Sequence, residues 1–164
     1  MTKQTKEALK TLPYYKSIPR KYRYTNPIKD KAWTLLSDYT RMRDFIKFGT
    51  CISTGKRITN WRDMDAGHYE SMGGHGSLVG FSELNIHAQS PMSNKIGGMA
   101  DGARYKENLI KRYGKKILKD IETLKRGTIK ADDWFFISRI QHIWEWFQTL
   151  KKDHKNFDYP EYLK

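Results

Sequence analysis

Two short stretches of the chain carry residues that can do acid–base and metal chemistry. The first, DAGHY, places Asp65 near His68, and the second, NIHAQSPMSN, carries Asn85, His87 and Asn94. Hydrolysis of a phosphodiester needs a base that activates water and a divalent cation that neutralises the leaving oxygen. A histidine with an ordinary pKa of about 6.5 is largely neutral at physiological pH and can be that base. Carboxylate and amide oxygens are hard ligands that suit Mg²⁺ or Mn²⁺.

Other chemistries lack their sequence patterns. The chain has no Gly-x-Ser-x-Gly nucleophile elbow, and GGHGSLVG is not followed by the Lys-Ser/Thr of a phosphate-binding loop. The single cysteine, Cys51, excludes an internal disulfide and a zinc site built from several cysteines. No neighbouring residue favours a papain-like nucleophilic role for Cys51 over that of a small core residue. On spacing alone, His68 is either a catalytic base or a structural histidine, and both interpretations stay open.

The charge of the chain favours an anionic partner. Lys and Arg total 31 against 18 Asp and Glu, which gives a formal net charge of +13. A surplus of this size favours nucleic acid, because each neutralised phosphate releases counterions. A solvated lysine surface and an anionic membrane face are the alternatives. The sequence lacks both a secretory signal pattern and the roughly 20-residue apolar run of a membrane span, so we expect a cytoplasmic protein without a membrane partner.

The first 28 residues form a basic segment without a sustained apolar period. Its cations alternate with tyrosines in YYK and RKYRY, a pattern that suits phosphate contacts combined with stacking on bases. The tyrosines can equally pack on the protein itself. We predict an arm at 1–28 and one domain at 29–164. The cations expected to contact nucleic acid are Lys16, Arg20, Lys21, Arg23, Lys95 and Arg104.

Apolar residues at three- and four-residue steps predict a long helix at about 29–47, which Gly49 ends. The turn-rich stretch at 51–69 suggests a β-hairpin, and the glycine-rich stretch at 73–80 suggests a loop. The Ser90-Pro91 pair offers an N-cap and first residue for the next helix.

The second half of the chain is predicted to be helical. GGMADG at 97–102 is expected to interrupt helicity before a helix that ends at Gly114. Further helices are expected at about 117–126 and 131–152, and the tail at 153–164 is expected to be loosely ordered. Three tryptophans lie partly off the apolar stripe of the last helix, where an exposed pair would mark an interface. They are Trp134, Trp144 and Trp146.

The segment from Cys51 to Gly114 resembles the recombination endonuclease family of lambdoid phages called NinG or Rap. The family pattern runs CxxCG, WDAGHY, NIHxQCxxCN and a helix ending in Tyr, Leu-Ile and Gly. This chain has CISTG, DAGHY, NIHAQSPMSN and YKENLIKRYG in the same order. The resemblance, which covers well over half of the chain, implies an α+β fold. The implied fold consists of an HNH-type ββα-metal core at about 51–114, an N-terminal helix, and two to three C-terminal helices within about 115–152.

The resemblance also implies a role for each site residue. His68 is the general base, Asn85 braces the loop that orients it, and Asp65 and Asn94 are ligands of Mg²⁺ or Mn²⁺. His87 contacts metal or phosphate, or else braces the site. The implied function is a metal-dependent DNA endonuclease of phage recombination that cleaves branched or single-strand-containing DNA, and a homodimer is compatible with it. The alternative is a catalytically weakened DNA-binding protein that kept the scaffold.

The chain departs from the family pattern at the cysteines. Thr54, Ser90 and Ser93 stand where relatives carry three cysteines besides the one at Cys51. Neutral hydroxyls are poor zinc ligands, so we expect no structural zinc. We expect hydroxyl hydrogen bonds and packing by two apolar residues, Ile52 and Met92, to join hairpin and helix instead.

Two further departures concern the metal and the phosphate. GGMADG stands where relatives carry a lysine and an SGN sequence, which affects the second metal ligand expected on the helix. SLVGF at 77–81 lacks the arginine that relatives place before the phenylalanine, which affects one expected phosphate contact.

Overall fold

The computed structural model describes residues 2–71, 76–96, 99–127 and 129–164. These residues form an α+β fold, as the sequence predicts, with seven α-helices and one two-stranded antiparallel sheet. The helices are α1 (Lys3–Lys10), α2 (Pro27–Lys47), α3 (Gly76–Gly80), α4 (Pro91–Ile96), α5 (Met99–Tyr113), α6 (Lys116–Arg126) and α7 (Asp133–Asp153). The strands are β1 (Asp65–His68) and β2 (Ile86–Gln89). Along these described stretches no helix is long and apolar enough to cross a membrane.

The chain divides into two compact units. Unit 1 comprises Met1–Tyr39 and Lys130–Lys164, and unit 2 comprises Thr40–Ile129. Unit 1 therefore contains both ends of the described chain, and unit 2 contains both chemistry-bearing stretches.

The N-terminal segment of unit 1 is folded and not an extended arm. It contains α1 and a 3₁₀ turn at Pro13–Lys16, and the side chains of Leu12 and Ile18 are buried. The ring of Tyr14 stacks on Trp144 with 3.9 Å between centroids. Of the two interpretations that the sequence leaves open, packing of this tyrosine on the protein itself is the one observed.

The start of α2 is held by a buried carboxylate of unit 1. Asp30 accepts hydrogen bonds from four successive backbone N–H groups, those of residues 21–24, at 2.8–3.1 Å. Burial opposes ionisation of Asp30, but these four donors outweigh it and lower the pKa of the carboxyl. RKYRY is thus wrapped around the first turn of α2.

The C-terminal tail is also packed, contrary to the loosely ordered tail expected from its composition. Tyr159 and Leu163 are buried. The hydroxyl of Tyr159 donates to the carbonyl of Leu150 at 3.0 Å, and the hydroxyl of Tyr162 donates to Asp38 at 2.6 Å. The two buried side chains and the two hydrogen bonds hold the tail at 153–164 against unit 1.

In unit 2, the β-hairpin predicted within 51–69 is not where the main strands pair. That stretch forms a single bridge between Thr50 and Arg57, followed by a 3₁₀ turn at Trp61–Asp63. DAGH instead pairs with IHAQ, in the register Asp65 with Gln89 and His68 with Ile86. The strand partner lies about twenty residues further along the chain, which local turn signals cannot reveal.

The predicted glycine-rich loop is partly helical. Residues 76–80 form α3, while 72–75 lie outside the described residues. Within the break predicted at GGMADG, residues 99–102 are helical and belong to α5. Gly97 and Gly98 lie outside the described residues. The stop at Gly114 is as expected, with a φ of +81° that favours glycine.

Strand β2 is anchored to the end of α2 by an arginine–aspartate pair. Arg43 donates to the carbonyls of Glu83 and Ile86 at 3.0 and 2.9 Å, and Asp44 accepts from the N–H of Ala88 at 2.8 Å. Burial opposes ionisation of Asp44, but the Arg43 guanidinium at 2.8 Å outweighs it and holds the pKa of Asp44 well below its usual range. This charged pair fixes the position of β2 relative to the C-terminal part of α2.

Helices α5 and α6 contribute to one apolar core cluster of unit 2. Its buried members are Ile52, Val79, Tyr105, Leu109, Ile117 and Ile121. Ile52 is fully buried there, as the sequence predicts, whereas Met92 is 75% exposed and does not join hairpin to helix. The helical start near Ser90 is observed as α4, with Pro91 as its first residue.

Candidate functional site

A small cavity of unit 2 gathers residues from both chemistry-bearing stretches. Its volume is about 190 Å³. The residues that line it come from β1, β2, α4 and α5 and the positions just after β1. They are His68, Tyr69, Gln89, Ser93, Asn94, Asp101, Gly102 and Tyr105. Two of the predicted site residues, His68 and Asn94, therefore share one cavity.

The imidazole of His68 is oriented by a backbone carbonyl. Its Nε2 atom lies 3.0 Å from the carbonyl oxygen of Gly80, at the end of α3. A carbonyl oxygen can only accept, so Nε2 carries the proton in this contact. In the neutral ring the basic lone pair is then on Nδ1. A half-buried histidine in this tautomer can take a proton from a bound water.

Asn85 braces the segment that supplies this carbonyl. The residue is fully buried, and its Oδ1 accepts from the N–H of Glu70 at 2.8 Å. Its Nδ2 donates to the carbonyls of Glu70 and Val79 at 2.9 and 3.2 Å. One amide thus ties the start of the segment 70–79 to its end. Gly80 follows directly, so Asn85 acts on His68 through the backbone.

Asp65 is linked to the cavity through Asn94. The amide Nδ2 of Asn94 donates to Oδ2 of Asp65 at 3.0 Å. Asp65 begins β1 and Asn94 lies in α4, so this bond joins the strand to the helix that follows the sheet. The amide oxygen of Asn94 and the carboxylate of Asp65 are the hard oxygen atoms of the pair.

Asp101 is a cavity residue that the sequence reasoning missed. It lies in the first turn of α5 and lines the cavity together with His68 and Asn94. The glycines of GGMADG suggest a break in helicity, which concealed it. The available signal was an acidic residue seven positions after Asn94 in the sequence.

The glycine of DAGHY permits a close approach of β2. A Cβ atom at Gly67 would lie 1.8 Å from Oε1 of Gln89, a separation that no side chain can occupy. Gln89 itself donates to the hydroxyl of Ser53 at 2.7 Å, and the hydroxyl of Tyr105 donates to the Gly67 carbonyl at 2.9 Å. Gly67 is therefore required for packing inside the cavity wall.

The structure does not bring His87 to the cavity. Its ring is 1% exposed, with Nε2 at 3.2 Å from the Leu84 carbonyl and Nδ1 at 3.1 Å from Nη2 of Arg43. Burial lowers the pKa of His87, and the nearby Asp44 carboxylate only partly opposes this effect. Both ring nitrogens of His87 are engaged inside unit 2, so His87 does not lie where a metal ligand at the cavity would have to be. These contacts correspond to the bracing role that the sequence left as the alternative.

The cysteine positions of the family pattern cluster beside the sheet. The N–H of Ser90 donates to Sγ of Cys51 at 3.2 Å, and the N–H of Ser93 donates to Oγ of Ser90 at 3.3 Å. Burial acts to raise the pKa of Cys51, but hydrogen bonds from Thr54 and Ser90 outweigh it and lower the pKa. Two further bonds, Ile52 N–H to the Ala88 carbonyl at 3.0 Å and Asn108 Nδ2 to the Ile52 carbonyl at 2.8 Å, tie this turn to β2 and α5.

The cations predicted to contact nucleic acid lie in both units. In unit 1, Arg20 lies 3.6 Å from Asp30, Lys21 lies 3.3 Å from Asp38, and the guanidinium of Arg23 lies 4.7 Å from the ring centroid of Trp33. These three therefore also serve the packing of unit 1. The remaining three are exposed: Lys16, Lys95 and Arg104.

Among the described residues, no three His, Cys, Asp or Glu side chains converge as a closed metal site would require. The cavity instead offers an imidazole, an amide and a carboxylate on its wall, with Asp65 bonded to the amide.

A protein-family model matches most of the chain. Residues 2–156 match the family described as Bacteriophage Lambda NinG protein. The chain belongs to the NinG family. Membership implies a role related to phage recombination. Searches of curated proteins and of solved structures gave no significant match to this NinG-family chain.

Proposed function

We propose that this NinG-family protein is a metal-dependent DNA endonuclease built on an HNH-type ββα core. In this proposal β1, β2 and α4 are the core. The observation that carries it is the shared cavity of His68 and Asn94, in which His68 is held by its Nε2 so that Nδ1 is the basic nitrogen. Asn85 holds the intervening segment as the middle asparagine of the resembling family would.

The residues around the cavity fit Mg²⁺ or Mn²⁺. Magnesium is commonly held by one or two carboxylates, with water and substrate phosphates completing its coordination. Asp65, Asp101 and the amide oxygen of Asn94 provide that kind of open donor set, and a closed cage of three or more acidic or imidazole groups is not needed. When bound, the cation supplies charge neutralisation at the scissile phosphate and the leaving oxygen.

The chain's own residues then provide base catalysis and orientation. His68 removes a proton from the attacking water through Nδ1, a contribution that is typically worth about 10²–10⁴-fold in rate. The Gly80 carbonyl stabilises the protonated ring that results, because Nε2–H keeps its acceptor throughout. Asn85 prevents this carbonyl from moving away, since it fixes both ends of the preceding segment.

The substrate class follows from charge and family. A net charge of +13 favours a polyphosphate, and the role in phage recombination points to branched or single-strand-containing DNA. A catalytically weakened DNA-binding protein would share this charge but would not need the tautomer of His68 or the donor set beside it.

A nicking assay tests the proposal. The full-length protein is incubated with supercoiled plasmid, linear duplex and a branched duplex, with Mg²⁺, with Mn²⁺ or with a chelator. We expect cleavage that requires the cation and that falls at least about 100-fold in His68→Ala, with DNA affinity nearly unchanged. His142→Ala, which removes an exposed histidine of unit 1, is the matched control and should cleave normally. DNA binding without cleavage by the wild-type protein under every condition would favour the weakened alternative.

A further inference from the structure

Helix α1 carries a surface cavity on each of two sides, both within unit 1. The larger, about 710 Å³, is lined by Trp134 of α7 and by five α1 or flanking residues: Lys3, Gln4, Glu7, Ala8 and Thr11. The smaller, about 360 Å³, includes Tyr15 and three lysines, Lys6, Lys10 and Lys16, in its lining. Both cavities therefore combine an aromatic ring with lysine ammonium groups.

Trp134 is unusual because its side chain is on the surface. It is 50% exposed, although other aromatic residues of α7, such as Phe136 and Phe147, are buried. The N-terminus of α7 is already capped by the Asp132 side chain, which accepts from the N–H groups of Trp134 and Phe135. Folding of α7 therefore does not account for an exposed tryptophan at this position.

Taken together, the linings of the two cavities carry a positive charge that suits phosphate. Of the side chains that line the two cavities, Glu7 is the acidic one, and it is paired with Lys10 at 2.6 Å. Of the two aspartates beside Trp134, Asp132 is used in the cap and Asp133 accepts from the amide of Asn26 at 2.8 Å. The two linings therefore carry four lysines, Lys3, Lys6, Lys10 and Lys16, against one glutamate, and Lys3, Lys6 and Lys16 present exposed ammonium groups.

We propose that α1, with Trp134 and Tyr15, is a binding platform for single-stranded nucleic acid. Unpaired bases stack on the exposed face of Trp134, and the phosphates that connect them lie along the lysines of α1. Exposed aromatics set in a basic groove are the usual means of binding single strands without sequence preference. Tyr15 is partly buried under the ammonium of Lys31, 4.3 Å from its ring centroid, and it contributes an edge of the second cavity.

This platform goes beyond the proposed nuclease activity, because all of its residues belong to unit 1 and none is needed for cleavage in unit 2. It would retain the unpaired part of a substrate. A duplex does not offer free base faces, so the platform distinguishes single strands from paired DNA. A membrane surface fits less well, since α1 exposes lysines and its apolar residues, Ala8 and Leu9, line different cavities.

The test measures binding in the presence of a chelator, so that cleavage plays no part. The anisotropy of a labelled thymidine oligonucleotide of about 15 nucleotides and that of a duplex of the same length are titrated with full-length protein variants. We expect Trp134→Ala to bind the single strand at least about fivefold more weakly and the duplex with unchanged affinity. Trp134→Phe should recover most of the loss. Ile129→Ala, which removes a 45% exposed apolar side chain outside the platform, is the control.

The lysines are tested by salt dependence. Lys3→Ala/Lys6→Ala should lower the slope of log affinity against log salt for the single strand by about 1.4, which corresponds to two phosphate contacts. Lys115→Ala/Lys119→Ala removes the same charge from exposed positions of unit 2 and should change this slope less.

Three results would overturn the platform: equal single-strand affinity of Trp134→Ala and the wild type, an equal loss on single strand and duplex, or binding of anionic vesicles without binding of the oligonucleotide. A wild-type protein that binds DNA without cleaving it would leave all of these binding measurements intact, so the platform and the nuclease proposal fail separately.

Discussion

Asn85 binds Glu70 through both ends of its side-chain amide. Oδ1 accepts from the Glu70 N–H at 2.8 Å, and Nδ2 donates to the Glu70 carbonyl at 2.9 Å, as it does to the Val79 carbonyl at 3.2 Å. Since the Gly80 carbonyl that holds His68 follows Val79, this amide links the integrity of the loop to the orientation of the base.

Replacement of Asn85 by aspartate should therefore impair cleavage more than DNA binding. A carboxylate would place an acceptor oxygen against two carbonyls, at a cost of about 1–3 kcal/mol per lost buried bond. We expect a lower melting temperature and a cleavage rate at saturating DNA reduced at least about tenfold. Asn108→Asp, which alters an amide elsewhere in unit 2, is the comparison. An Asn85→Asp protein with wild-type turnover would show that the loop does not orient His68.

Asp65 and Asp101 should contribute separately to divalent cation binding. Titration of Mn²⁺ followed by electron paramagnetic resonance measures the affinity without any cleavage. We expect Asp65→Asn and Asp101→Asn each to weaken binding at least as much as loss of an outer-shell partner, roughly 10–100-fold. Asp63→Asn changes an exposed aspartate next to β1 and is the control. If Asp101→Asn binds Mn²⁺ like the wild type, α5 supplies no ligand.

The cluster of Cys51, Thr54, Ser90 and Ser93 should accept zinc once its thiols are restored. We expect the wild type to melt at the same temperature with and without a chelator, because one thiolate is too few to hold the ion. The variant Thr54→Cys/Ser90→Cys/Ser93→Cys should bind one zinc ion per chain and gain thermal stability. Elemental analysis and melting curves check both statements. Tight zinc in the wild type would contradict the first, and a metal-free triple variant would contradict the second.

The stability of the protein should decrease as the pH falls below about 6.5, the ordinary pKa of histidine. Burial lowers the pKa of His87 in the folded state. Between this lowered pKa and about 6.5, the unfolded chain binds a proton at His87 that the folded chain does not. The free energy of unfolding therefore decreases as the pH is lowered, by at most about 1.4 kcal/mol per pH unit. His87→Gln should flatten this part of the profile in denaturant titrations at several pH values. Identical profiles would remove His87 as the cause.

Asp30 should be one of the most sensitive positions of unit 1. Its carboxylate satisfies four backbone N–H groups, and an amide in its place would direct a donor at some of them. We expect Asp30→Asn to lower the free energy of unfolding by about 3 kcal/mol or more. Asp153→Asn, at the exposed end of α7, should have little effect.

Deletion of residues 1–24 should also destabilise the protein, because it removes the buried Leu12 and Ile18.

The sequence by itself determined the elements whose signals are local. The apolar period predicted α2 to within two residues of its start, and the positive φ of Gly49 and Gly114 agrees with the helix stops read from them. The motifs DAGHY and NIHAQ contain the two strands: β1 carries His68, and Asn85 directly precedes β2, although local turn signals predict a hairpin within 51–69 instead.

Only the tertiary structure decided the features that depend on distant partners. Asp101 lines the cavity because α5 begins before it, and His87 leaves the cavity because Arg43 and Leu84 engage its ring. The tail and the N-terminal segment are ordered by a few long-range contacts that no periodic pattern encodes. Burial, hydrogen-bond partners and the exposed ring of Trp134 are properties of the assembled chain, so composition alone leaves them undetermined.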